Sequence, residues 1–188
     1  MIIFHGFGGD LGYEEGNLYE LISQKARACG VTAVRFDFSG CGKSQGHSQG
    51  GVVAGMLAGL YPDIVKKLIL LAPAATLKTD AQKGVCMGTF YDTEQVPEVV
   101  LVDGQHPVGG HYFRIAKNLP IHEITSKYTG GTLLIHGISD AIVDYHASLE
   151  YHHCMPSSRL NLYEELDHGI DGKDRDEVLG EIGEFLRE

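Results

Sequence analysis

The chain has 188 residues, 43% of them hydrophobic, which suits one domain with its own core and is too apolar for disorder. Its 25 acidic residues against 15 basic ones give a net charge of −10, which argues against nucleic acid or an anionic membrane as a partner. No apolar run approaches the roughly 18 residues that a spanning helix needs, because Leu68–Ala75 is interrupted by Pro73.

Ile2-Ile3-Phe4 is a short apolar run ending in His5-Gly6-Phe7-Gly8-Gly9, so a buried strand feeding a glycine-rich loop is expected. No basic segment precedes that run, so it does not read as a signal peptide. Leu18, Leu21, Ile22 and Ala26 carry helical spacing through Asn17–Ala28, and Gly30 stands where a helix ends. Val31–Phe38 is rich in β formers and reads as a strand, which makes a strand-helix-strand unit and implies a parallel sheet. Ser39–His47 holds three glycines and nothing strand-like, and Gln49–Leu60 reads as a helix of small residues. Lys67–Ala72 is an apolar strand stopped by Pro73. Periodicity then weakens through residues 74–130, apart from a helical stretch near His111–Asn118, and so long a passage between strands is usually functional. Thr132–His136 and Arg159–Tyr163 read as strands, Ala141–Tyr151 as a helix, and Val178, Leu179, Ile182, Phe185 and Leu186 as the apolar stripe of a last helix.

The chemistry gathers around Gly46-His47-Ser48-Gln49-Gly50. This string fits G-x-S-x-G, a sharp turn that lifts a serine hydroxyl above a sheet at the start of a helix. A serine nucleophile needs a base to take its proton and an acid to hold that base in the right tautomer. Both appear after later strands, Asp140 beyond Thr132–His136 and His168 beyond Arg159–Tyr163, in the loops where open parallel sheets place their ligand sites. Asp144 is the rival acid, and Asp140 is preferred because it lies nearer the strand end. Two backbone N–H groups would hold an oxyanion, and Gln49 and Phe7 are the candidates.

Plainer roles stand beside these. Ser48 and Asp140 could each serve only as helix caps, and His136 reads as a hydrogen-bonded structural residue. His152 and His153 read as a solvated helix end, not a metal site, because adjacent side chains on a helix point different ways. Gly42-Lys43-Ser44 is not a phosphate loop, since the position of its first glycine is Asp37. Cys29, Cys41, Cys86 and Cys154 show no C-x-x-C spacing and read as free thiols of a reducing compartment, which points to the cytoplasm.

Several longer strings stand out: His5-Gly6-Phe7-Gly8-Gly9, Arg35-Phe36-Asp37-Phe38 with its Gly-x-Gly-x-Ser, and His47-Ser48-Gln49-Gly50-Gly51. Leu70-Leu71-Ala72-Pro73-Ala74-Ala75, Leu134-Ile135-His136-Gly137 with Asp140, and Asp167-His168 complete the set. Together they resemble the feruloyl (cinnamoyl) esterase group of the α/β-hydrolases, among the serine aminopeptidase-like hydrolases. The resemblance implies an α/β-hydrolase core in residues 1–72 and 131–188 and a lid insertion in residues 73–130. It implies a Ser48, His168, Asp140 triad acting on feruloyl- or cinnamoyl-type or other small carboxylic esters without metal or cofactor, with Asp80 and Tyr112 on the substrate side. A glutamine of that group falls on Met87 here. The chain also departs from the pattern. It begins at the strand of the His-Gly loop, and Gly40-Cys41-Gly42-Lys43-Ser44 runs straight into the serine turn without the intervening helix and central strand. An incomplete sheet is therefore expected, and its open edge could recruit a second copy as a homodimer. A peptidase or thioesterase of the same fold, or a catalytically impaired remnant, are the alternatives.

Overall fold

The structure, a computed structural model, describes residues 1–4, 15–35 and 48–188. Its centre is a parallel three-stranded sheet in which β3 (Lys67–Leu71) and β9 (Ser158–Tyr163) flank β8 (Gly131–Gly137). A second parallel pair joins β1 (Ile2–Ile3) to β2 (Val34–Arg35). Between β2 and β3 runs α2 (Gln49–Leu60), and α1 (Leu18–Ala28) crosses from β1 to β2.

Side chains of the sheet alternate between two cores, as a pleated strand requires. Leu71, Leu133 and Ile135 point to one face, where Tyr19 and Ile22 of α1 meet Val178, Ile182 and Phe185 of α7 (Arg175–Arg187). Leu68, Leu70 and Leu134 point to the other, against α2, α5 (Ile121–Thr125) and α6 (His146–Cys154). The small residues of α2 are what let it approach. A Cβ on Gly51 would come within 2.9 Å of the Pro73 side chain, and one on Gly59 would collide with the carbonyl of Ile124 in α5.

Residues 73–130 are built of short pieces: α3 (Leu77–Lys83), the hairpins β4 (Val85–Cys86) with β5 (Thr89–Phe90) and β6 (Val99–Val102) with β7 (His106–Gly109), then α4 (Gly110–Ala116) and α5. Val100, Val102 and Phe113 give them a small core of their own.

Three expectations need correction. The first strand is not buried, for Ile2 is 61% exposed and Val34 53%. The reason is a slot of about 570 Å³ whose walls include Ile2, Ile3 and Phe4 on one side and Leu68, Ile69 and Leu71 on the other. Among the described residues nothing pairs with the facing edges of β1 and β3, so the sheet is in two pieces. Second, the helix expected from Ala141 begins only at His146, because the carboxylate of Asp140 takes the N–H groups of Ile142 and Val143 into a tight turn. Third, of the strand expected over Val31–Phe38, only Val34–Arg35 is a strand among the described residues, and 36–38 lie outside them.

Candidate active site

Ser48 stands at the entry to α2 with φ 62° and ψ −115°, a conformation that a residue with a Cβ enters only under strain. Strain of this kind persists where the surroundings over-determine it. Here the Ser48 N–H donates to the Leu71 carbonyl at 3.1 Å, and the Ser48 carbonyl accepts from Ala74 at 2.9 Å and Gly51 at 3.1 Å. The serine is thus pinned to the end of β3. Although it holds the N-cap position, its hydroxyl makes no capping hydrogen bond, so the plainer reading does not account for it. The next residue, Gln49, opens the helix, where backbone N–H groups have no partner within the helix and the dipole is positive.

Two loops bring the other groups together. Beyond β8, the Ile138 N–H donates to the Tyr163 carbonyl at 2.7 Å and the Ser139 hydroxyl to the Glu164 carbonyl at 2.5 Å, which stitches the Asp140 loop to the one after β9. Gly137 permits the join, since a Cβ there would collide with the carbonyl of Leu166. In the second loop Ile170 is fully buried at φ 57°, a left-handed conformation that a β-branched residue seldom takes.

His168 Nδ1 lies 2.6 Å from Asp140 Oδ2 and donates to it, which leaves Nε2 as the basic nitrogen of the neutral ring. The Asp140 side chain is fully buried, and Oδ1 accepts from Ile142 at 2.8 Å and Val143 at 2.9 Å. Burial pushes its pKa up. The donors His136, His168, Val143 and Ile142 outweigh that and hold the carboxyl well below the usual carboxylate range. Asp144, the rival acid, is 65% exposed and engaged with His146.

Ser48, Gln49, Asp80, Tyr112 and His168 line one pocket of about 180 Å³, together with Cys86 and Met87. The Gln49 side-chain amide donates to the Tyr112 hydroxyl. The Cys86 thiol is pushed up to about 11 by burial and by the nearby Asp80 and Asp103, so it is not a nucleophile at neutral pH. Phe7 and the glycine-rich loop lie outside the described residues. Among the described residues no group of His, Cys, Asp and Glu is arranged to hold a metal, and no helix is long and apolar enough to cross a membrane. His152 is exposed near the end of α6, its Nδ1 2.8 Å from the Ser158 hydroxyl.

The solved structure of Est1E from Butyrivibrio proteoclasticus with ferulic acid bound matches over 98% of this chain and 86% of its own, with a TM-score of 0.89 and 26% identity. The fold is that of the α/β-hydrolases, in its feruloyl-esterase-like form. Alpha/beta hydrolase domain-containing protein 10 from mouse shares that α/β-hydrolase fold at TM-score 0.74 and 18% identity, over 98% of this chain and 88% of its own. So does a monoacylglycerol lipase from Paleococcus ferrophilus, at TM-score 0.68 and 19% identity, over 99% and 93%. No family model matches the chain, and no curated protein matches it by sequence.

Within this α/β-hydrolase frame, sequence reasoning missed what His136 does. It is the hydrogen-bonded buried residue expected, but one of its partners is the carboxylate oxygen that His168 also touches, which the sequence reading did not foresee. The available signal was its place four residues before Asp140, at a strand end beside Gly137.

Proposed function

We propose that this chain hydrolyses small carboxylic esters through Ser48, His168 and Asp140. The observation that carries the proposal is the strained turn that puts Ser48 in the same pocket as an imidazole already oriented by a buried carboxylate. In this reading Ser48 Oγ attacks the ester carbonyl while His168 Nε2 takes the hydroxyl proton. Asp140 keeps Nδ1 protonated and stabilises the imidazolium that forms. The Gln49 N–H, at the positive end of α2, holds the oxyanion. His168 then returns its proton to the leaving alcohol, and water repeats the cycle to release the acid.

Residues 73–130 act as the lid over this site, because α3, β4 and α4 supply Asp80, Cys86 and Tyr112 to its wall. Hydroxycinnamate esters are the substrates we favour, supported by the likeness to a ferulic-acid-bound esterase and by a compact pocket that carries one aromatic hydroxyl and one carboxylate.

A fluorophosphonate probe followed by mass spectrometry tests the nucleophile, with the adduct expected on Ser48. Feruloyl and p-nitrophenyl esters assayed against peptide amides then test the substrate class, with esters turned over and amides untouched. A folded sample that takes no label favours the second reading, a catalytically impaired form. The slot between β1 and β3 supports that alternative, since no described strand leads into the serine turn.

A further inference from the structure

One buried ring outside the proposed triad touches its acid. His136, at the end of β8, is fully buried and turned toward α6. Its Nε2 lies 3.0 Å from the Val143 carbonyl oxygen and 3.1 Å from Asp140 Oδ2. Both are acceptors at neutral pH, so Nε2 carries the hydrogen and shares it between them. In the neutral ring Nδ1 is then the acceptor, 2.7 Å from the Ser148 hydroxyl of α6, which donates to it. A continuous path results: Ser148 fixes the ring, the ring donates to Oδ2, and His168 donates to the same oxygen from the other side.

The two oxygens of Asp140 are thus held differently. Oδ1 is tied to its own loop by two amides, whereas Oδ2 meets only the two rings. His136 supplies the second tether, from the rigid sheet. We infer that His136, locked by Ser148, is a positioning residue that holds Asp140 Oδ2 in line with His168 Nδ1. The ring touches no substrate and acts through the carboxylate. Asp144, the next carboxylate on the loop, lies exposed and paired with His146.

The kinetic part of the test rests on the hydrolase reading; the spectroscopic part does not. His136→Leu removes the donor and keeps the volume, whereas His136→Gln offers an amide N–H in place of Nε2. Titrating the carboxyl of isotopically labelled Asp140 by NMR, we expect His136→Leu to raise its protonation midpoint by about one pH unit or more. The same variant should broaden or lose the downfield proton of His168 Nδ1. It should also lower kcat about ten-fold or more, with KM within about two-fold. His136→Gln should restore most of all three. Ser148→Ala, which keeps the ring and frees it to turn, should move each readout the same way by less, and it serves if the leucine variant does not fold. An Asp140 midpoint unmoved in the leucine or alanine variant, or a glutamine variant as impaired as leucine, overturns the inference. A wild-type protein that hydrolyses no ester sinks the hydrolase reading instead, and the NMR readouts still decide this one.

Discussion

The side-chain amide of Gln49 donates a hydrogen bond to the hydroxyl of Tyr112, so the residue after the strained serine is tied to α4, which also lines the pocket. One bond therefore couples the floor of the site to its wall. A neutral hydrogen bond contributes on the order of 1 kcal/mol, or about five-fold in binding. Tyr112→Phe should raise KM by about three- to ten-fold with kcat nearly unchanged. Steady-state kinetics on a feruloyl ester checks this, and a fall in kcat at constant KM would show that Tyr112 serves the chemical step instead.

The proposed roles make the two candidate acids separable. Asp140→Asn should lower kcat by about 10⁴, because the wrong tautomer of His168 is then held. Asp144→Asn should stay within about three-fold, since an exposed surface change rarely moves more than about 0.5 kcal/mol. The reverse ranking in ester turnover would transfer the role to Asp144.

The low pKa of Asp140 fixes the sign of a pH effect on stability. A carboxyl depressed in the folded state contributes stability that is present in full above the unfolded value, about pH 4, and is lost as pH falls through the folded one. Asp140→Asn should therefore cost more at about pH 7 than at about pH 3. Urea unfolding of both proteins at the two values measures it, and equal costs would mean that the four donors do not favour the charged form.

Two glycines should answer oppositely to the same methyl group. Gly137→Ala drives a Cβ into the Leu166 carbonyl, which should destabilise by about 1–3 kcal/mol and spread the Asp140 and His168 loops apart. Gly180→Ala, in α7 with no atom near its Cβ position, should stabilise by about 0.5–1 kcal/mol. Thermal melts separate the two. A tolerated Gly137→Ala would show that the loop junction has slack.

The slot between β1 and β3 exposes apolar walls that a closed sheet would bury. The native protein should therefore bind an apolar dye such as anilinonaphthalene sulfonate, as apolar surface open to solvent does. Ala54→Phe, which fills part of the slot, should cut the fluorescence. No binding to the native chain would mean that the slot is closed in solution.

Much of this was legible in the sequence because it is local. The helical stripe from Leu18 to Ala26, the apolar run Lys67–Leu71 and the strand-loop placements of Asp140 and His168 each follow from periodicity and turn residues within a short window. Residues 141–145 were read as helix and are not, for a local reason too: the Asp140 side chain takes the amides that a helix would use.

The order of Ser48, Asp140 and His168 and the types of the residues around them were therefore set by sequence alone, because covalent neighbours decide caps, turns and strand ends. Tertiary structure decided the rest. Pinning of Ser48 at positive φ comes from β3, the depressed carboxyl of Asp140 needs two rings brought from β8 and the loop after β9, and the slot exists only because two strand edges face each other. Each of these needs at least one partner distant in the chain, and hydrogen bonds and burial across such distances leave no periodic mark in the sequence.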